Sequence, residues 1–339
     1  MATIHDVAKY AGVSISTVSY VLSGVRPVSA PTRQKVLDAM ETLGYRPNPH
    51  ARALSSKESH LLALFIPPTR RGLGETEIDF ASHVSKEAMR EGYHTILVTD
   101  EYDDLIALKE FIHQSLVDGI ILMEVHTHDP RVDFLLHENI PFVIIGHCEN
   151  IHTNWVDIDF EKTLFSGIQY FIEQGYRAIA FVNQSEAVYT SGYGPVVRSF
   201  QAIQRAKHIY SCDRLVHYFC EAYNEYGYEL TKKIIKEEPF INAFIVMNDR
   251  ALPGMYRAFY EAQKRIPDDV AIVSMVTSEQ AAEMLYPPLT TLEFPTEILA
   301  VQAVQQLISQ IRGKPTVHFQ NTLLCPLIER HSTKRKSVL

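Results

Sequence analysis

The stretch Thr3-Ile4-His5-Asp6-Val7-Ala8-Lys9-Tyr10-Ala11-Gly12-Val13-Ser14, continued by Ile15-Ser16-Thr17-Val18-Ser19-Tyr20-Val21-Leu22-Ser23-Gly24, decides how the chain begins. Thr3 is suited to cap a first helix, which presents Ile4, Val7, Ala8 and Ala11 at helical spacing and stops at Gly12. Ser14 can cap a second, with Val18, Val21 and Leu22 facing inward, ending at Ser23-Gly24. A helix, a tight glycine-containing turn and a second helix form the helix-turn-helix pattern. Beyond the turn Val25-Arg26-Pro27-Val28, Ser29 opens a third helix with Val36, Leu37, Met40 and Leu43 on one face, stopped by Gly44. Residues 1–46 thus read as an all-α head. Tyr45-Arg46-Pro47-Asn48-Pro49 is stiff and extended, and His50–Lys57 has room for one or two helical turns, so 47–60 is a linker.

From Leu61 the texture changes. Apolar runs of strand length occur at Leu61–Ile66, Thr95–Val98, Gly119–Met123, Phe142–Ile145, Ala178–Val182, Leu215–Phe219, Ala243–Met247 and Val270–Met275. Between them lie helical stretches such as Ile78–Glu91, Asp104–Ser115, Glu161–Gln174, Tyr226–Glu237 and Ala251–Lys264. Fully apolar strands alternating with helices imply parallel sheets covered on both faces, an α/β body. Eight such strands exceed one small sheet, and Trp155–Phe160 reads as a crossing segment. The expectation is two doubly wound lobes over 61–339 with a cleft between them at the carboxyl ends of the strands.

Composition narrows the class. The 339 residues are 46% hydrophobic and 21% charged, the profile of a globular protein. No apolar run approaches the roughly 20 residues of a membrane helix, and the N-terminus lacks a signal-peptide pattern, so a cytoplasmic location without membrane contact is expected. Four cysteines with no CxxC pair read as reduced thiols. The net charge is −8, yet residues 1–60 carry seven Lys/Arg against four acids. A basic head on an acidic body suits a polyanion partner at the head. Nothing supports an enzyme: GxSxG, HExxH and P-loop motifs are absent, and Gly72-Leu73-Gly74 does not extend to GxGxxG. His126-Thr127-His128-Asp129 lacks further ligands for a metal site and reads as a solvated loop. His147-Cys148 reads as a pocket wall, since nothing in the sequence orients the pair. No cofactor is implied.

The opening Thr3–Ser14 with Ser16-Thr17-Val18-Ser19 resembles the lactose/galactose repressor (LacI/GalR) family of bacterial transcription regulators. So do Tyr45-Arg46-Pro47-Asn48 with Ala51-Arg52 and Leu54, Val117–Leu122, Asn248-Asp249, Ile266–Ala271 and Pro288-Leu289-Thr290-Thr291, in the family's order across nearly the whole chain. The resemblance implies a body like periplasmic sugar-binding proteins, with each lobe discontinuous: one near 61–158 and 293–320, the other near 159–292 and 321–339. It implies a homodimeric repressor whose heads read double-stranded operator DNA and whose linker helices enter the minor groove. A small effector, a sugar or sugar derivative, would sit in the cleft; a co-repressor protein or metabolite is the alternative. The chain ends in His331–Leu339 without heptads, which favours a dimer.

At the head, docking geometry sends residues near the N-terminus of the second helix to base edges, which assigns Ile15, Ser16 and Tyr20. Ser14, Thr17, Ser19, Ser23 and Tyr45 suit phosphates, though Ser14 and Thr17 would equally serve as helix caps; Thr3 joins the DNA-facing set. In the linker the resemblance makes Leu54 the wedge that opens a central base step, flanked by Ala51, Arg52 and Ser55. For the effector it points to Asn248 and Asp249, and His147, Glu77 and Tyr223 complete the expected effector-binding set. The family's pocket arginine falls on Val196 or Arg198, and Arg198 is preferred because a valine cannot grip a hydroxyl. The family often has Asp-Arg where this chain has Gly146-His147, and an acid near Val276 where this chain has none. That wall is therefore expected to be less acidic, with Glu75 or Glu77 supplying an acceptor across the cleft. An anionic sugar would use Arg198 with Arg70 or Arg71.

Overall fold

The computed structural model describes residues 2–23, 26–46, 59–67, 73–99, 105–114, 116–149, 153–314 and 318–333. They divide into two compact units: residues 1–60 with 114–118, and 61–113 with 119–339.

The first unit contains α1 (Ile4–Ala11), α2 (Ile15–Ser23) and α3 (Ala30–Leu43). Thr3 caps α1 through a capping box: its side chain accepts from the Asp6 N–H, while Asp6 accepts from the Thr3 N–H at 2.8 Å. Ser14 caps α2, its hydroxyl accepting from the Thr17 N–H at 3.1 Å. Gly12 and Gly44 end α1 and α3 in the left-handed conformation that a Cβ would penalise. Val7, Ala8, Val18, Val21, Val36 and Ala39 form the small core, with Met40 and Leu43 packed against it. Leu37 was expected there too, but is 41% exposed. One helical position past Val36, it has rotated onto the outer face. In the same unit Asp118 accepts from the Ser59 N–H (2.7 Å), the Ser59 hydroxyl (2.8 Å) and the His60 N–H (2.8 Å).

The second unit is a two-lobed α/β body. One sheet has the order β11-β5-β4-β3-β1-β2 and is parallel throughout, with β1 (Leu61–Phe65), β2 (His94–Val98), β3 (Gly119–Leu122), β4 (Phe142–Ile145), β5 (Trp155–Ile158) and β11 (Gln320–Leu323). The other has the order β12-β10-β9-β8-β6-β7, from β6 (Ala178–Asn183), β7 (Arg214–Phe219), β8 (Ala243–Val246), β9 (Ala271–Thr277), β10 (Thr290–Glu293) and β12 (Leu327–Ile328). Only β12 runs antiparallel. The strands expected from the apolar runs are all present; the inner ones are buried on both faces, while the edge strands β2 and β7 are partly exposed. Helices cover them: α4 (Glu75–Arg90), α5 (Leu105–His113), α6 (Pro130–Glu138), α7 (Phe160–Glu173), α8 (Glu186–Thr190), α9 (Gly194–Ile209), α10 (Asn224–Glu237), α11 (Leu252–Glu261), α12 (Glu279–Glu283) and α13 (Thr296–Ile311).

The chain changes sheet three times: between β5 and α7, between β10 and α13, and between β11 and β12. The last crossing lies later than the sequence boundary at 320/321, because β11 pairs with β5 from Gln320↔Trp155 to Leu323↔Ile158. The second lies just after residue 293, since β10 keeps Glu293 beside β9 and α13 then packs on α4. Gln305 donates to Glu87 at 2.9 Å, and the Thr296 hydroxyl bonds the Asp79 carboxylate.

Helices α10 and α11 approach so closely that only glycine fits at their contact. A Cβ on Gly254 would stand 1.8 Å from the Asn224 carbonyl oxygen, and one on Gly227 would stand 2.2 Å from that of Ala251. Both obstacles are backbone, so neither can swing aside. Gly254→Ala is therefore expected to lower the stability of the body by about 1–3 kcal/mol, the usual cost of overpacking. Chemical denaturation followed by far-UV circular dichroism would measure it, and an unshifted midpoint would refute the close approach.

Candidate effector cavity and nucleic-acid interface

Every parallel strand of a lobe points its carboxyl end the same way, so the loops that follow the strands gather at one end. There the body encloses a cavity of about 110 Å³, room for several water molecules or a small ligand. Met123, Glu124 and Val125 after β3, Ile145 and Gly146 at the end of β4, Asp157 on β5 and the start of α4 (Thr76, Glu77, Phe80) form one wall. Gln184, Met247, Asp249 and Met275 from the other sheet, with Tyr193 and Pro195 at the start of α9, form the opposite wall. Phe80, Phe160 and Phe294 supply an apolar lining.

The two lobes are joined directly across this cavity. The Arg198 guanidinium on α9 donates to Asp157 Oδ2 at 2.9 Å and to the His147 carbonyl oxygen at 3.1 Å. It also lies over the Phe160 ring, 5.2 Å from its centroid. Gly194 makes room for it, since a Cβ there would fall 2.8 Å from Arg198 Nη1. His147 Nδ1 bonds the same carboxylate oxygen at 2.7 Å, and its ring stacks on Trp155 at 4.6 Å. The sequence left His147 unoriented; Asp157 and Trp155 orient it. The backbone adds a short antiparallel bridge between His126 and Tyr193, with the Thr127 N–H donating to Gly192 at 2.8 Å and the Gly194 N–H to Val125 at 3.1 Å.

Electrostatics in the cavity are unusual. Burial, aided by the neighbouring Glu77 charge, pushes the Glu124 carboxyl up to about 7, although the Tyr193 hydroxyl bonds to it. Burial and Glu77 also raise Asp249, with Arg250 opposing. Tyr193 is held well above its ordinary value by burial and by the Glu124 charge. The Thr76 hydroxyl, which lines the cavity, is buried without a hydrogen-bond partner among the described residues.

The residues singled out from the sequence fall into distinct places. Glu77 and Asp249 line the cavity, and Arg198 and His147 hold Asp157, which also lines it. Val196, the alternative to Arg198, is fully buried in the core. Asn248 is buried and donates its amide to the Cys220 carbonyl oxygen at 2.8 Å, outside the lining. Tyr223 is the N-cap residue of α10, also outside the lining. Arg70 and Arg71 lie outside the described residues. Arg198 finds its acid in Asp157, on the strand beside Gly146 and His147. Sequence reasoning missed Glu124, Asp157 and Tyr193. Glu124 was findable as the residue directly after the apolar run Gly119–Met123, whereas Asp157 was hidden inside the crossing segment. In the metal-like run, Asp129 caps α6 and holds the buried Arg131 at 2.8 Å.

At the head, Ile15 and Ser16 at the N-terminus of α2 are exposed, while Thr17, Ser19 and Tyr20 are half-buried. The Arg26 guanidinium lies over the Tyr20 ring at 5.2 Å. Ser14 and Thr17 hydrogen-bond each other at 2.8 Å as helix-capping partners, and Tyr45 packs on the core of the head. Only the backbone of Ser23 is described. Ala51, Arg52, Leu54 and Ser55 lie outside the described residues.

Comparison with known proteins places these features. Residues 3–48 match the model of bacterial regulatory proteins, lacI family, and residues 168–333 match the periplasmic binding protein-like domain. The chain is 27% identical to the ribose operon repressor of Escherichia coli K12, over 98% of this chain and 100% of the repressor. Among solved structures, the complex of the transcriptional regulator CelR with cellobiose is 25% identical, with 98% of this chain and all of that one covered and a TM-score of 0.71. The lac repressor dimer bound to operator and an anti-inducer shares the fold at 24% identity and a TM-score of 0.80, covering 98% and 99% of the two chains. With a regulatory helix-turn-helix at its head and a binding-protein fold for its body over matching lengths, this chain belongs to the LacI family of bacterial transcriptional regulators.

Proposed function

We propose that this protein is a homodimeric, operator-binding repressor controlled by a small polyhydroxylated ligand held between its lobes. The observation that carries the reading is the direct bonding of the two lobes around one cavity by Arg198 and Asp157. A ligand that bonds to these walls changes how the lobes are held. By linkage it shifts operator affinity only to the extent that it binds the DNA-bound and free conformations differently. The ribose operon repressor supports the repressor role by its name, and the cellobiose complex of CelR supports a sugar in this kind of body. The protein acts by binding, with no chemical step on its ligand, and works in the cytoplasm. No helix of the described residues is long and apolar enough to cross a membrane.

At the DNA, Ile15, Ser16 and Tyr20 face base edges, with Ser16 able to donate or accept and Ile15 suited to a thymine methyl. Thr3, Ser14, Thr17, Ser19, Ser23 and Tyr45 position the head on phosphates. The linker residues Ala51, Arg52, Leu54 and Ser55 are assigned to the minor groove, with Leu54 as the wedge.

The direct test is selection of operator fragments by the purified protein, followed by gel-shift titration with and without sugars. Exchanging Ser16 or Tyr20 is expected to change the preferred bases, by about 1–3 kcal/mol per altered contact, while Arg33→Ala leaves the preference intact. Affinity should fall steeply with salt despite the acidic net charge, with a log–log slope of about −0.9 per neutralised phosphate. A slope near zero would show that the head does not bind in this way. Leu54→Ala is expected to weaken operator binding and reduce bending without loss of dimerisation or ligand binding; an unchanged bend angle in fluorescence transfer measurements would remove the wedge.

A further inference from the structure

Four carboxylates, Glu77, Glu124, Asp157 and Asp249, line the cavity. Asp157 is answered by Arg198 at 2.9 Å and by His147 at 2.7 Å. The other three are in no ion pair within 4 Å among the described residues. Arg131, the cation behind Glu124, is held by Asp129 at 2.8 Å, and its Nη2 also donates to the Met123 and Glu124 carbonyl oxygens. Arg250 stands near the first turn of α4, with its Nη2 3.2 Å from where a Cβ on Gly74 would lie, and partly offsets Glu124 and Asp249. Among the described residues Glu77 accepts the Gly74 N–H, at 2.8 Å. Three like charges around an enclosed space are costly to desolvate, and a counter-charge removes the cost.

We propose that the ligand of this cavity carries a protonated amine seated among Glu77, Glu124 and Asp249, with hydroxyls turned toward Asp157 and the unpartnered Thr76: an amino sugar or a closely related polyhydroxylated amine. This rests on the reading of the cavity as the effector site. An ammonium has three hydrogens to donate, and these carboxylates offer acceptors that no neutral hydroxyl would neutralise. An anionic sugar meets no cation on these walls among the described residues: Arg198 stands outside the lining, and its Nη1 and Nη2 already donate across the lobes, its buried Nε alone lacking a partner. Empty, the cavity keeps a proton on Glu124 at neutral pH for part of the time; the bound ammonium takes the place of that proton.

Groups facing Glu124 are Glu77 on α4, Tyr193 at the start of α9, Arg131 on α6 and Arg250 beside Asp249, with Asp157 on β5 in the same wall. Of the acids among them, Glu77 contributes most to holding the proton. Ammonium binding is therefore expected to release protons near pH 7 and to weaken as pH falls toward 5.5, while a neutral parent sugar shows neither effect.

The test is calorimetry and thermal shift on the full-length protein at pH 7. The probes are glucosamine, galactosamine and mannosamine, their parent hexoses, the hexose 6-phosphates, ribose, and cellobiose with its diamino counterpart chitobiose. The expected result is an amine bound at least tenfold more tightly than its parent, with the preference lost in Glu77→Gln and in Glu124→Gln. A folded variant that still binds the parent sugar shows that the substitution removed charge recognition and not the cavity. Equal or tighter binding of a neutral sugar or a phosphate overturns the amine and leaves the effector site standing. No binding by any probe overturns both.

Discussion

The threefold passage of the chain between two parallel sheets constrains everything else in the body. Each crossing, after β5, after β10 and after β11, commits one lobe to sequence from both sides of the other. Neither sheet can be completed without the C-terminal third of the chain, since β11 closes one and β12 the other. The same topology turns the carboxyl ends of two strand sets toward each other, so loops far apart in sequence share a single cavity.

Across the cavity polar bonds sit among apolar side chains drawn from both sheets. Arg198 with Asp157 and the short bridge of His126 with Tyr193 join the walls, and a ligand between them competes with or adds to those bonds. The Arg198–Asp157 pair is largely buried and shares its carboxylate with His147, so breaking it would strand charge away from water. Packed apolar walls by themselves would give a stiffer body and a weaker distinction between filled and empty states.

The electrostatic character of the site comes from walls contributed by separate elements. Glu77 lies in the first turn of α4, where a carboxylate is favoured by the helix dipole and by the capping bond to Gly74. Glu124 follows β3 with a positive φ of 54°, a backbone state uncommon for a residue with a Cβ. Asp249 opens a short turn after β8. Each position has its own local reason, yet together they concentrate negative charge in one place, with Glu77 affecting both neighbours. Local strain and charge crowding at one spot are what a binding site tolerates and a plain core does not.

The head was legible in the sequence because its signals are local: Thr3 and Ser14 cap, Gly12 and Gly44 stop, and Val7, Val18 and Val36 recur at helical spacing. Leu37 escaped because helical phase at the end of a stripe is set by packing and not by hydrophobicity. The parallel strands were equally plain, since burial on both faces leaves uninterrupted apolar runs. The sequence determined the two-lobed α/β class and the position of the cleft through those runs and the chirality of their connections. It could not reveal that Arg198 bonds Asp157 across 41 residues, that Asn248 turns away to Cys220, or that Glu124 and Tyr193 meet. Those partnerships depend on where three crossings bring distant loops, and on burial that changes what a carboxylate costs. Only the tertiary structure decides either.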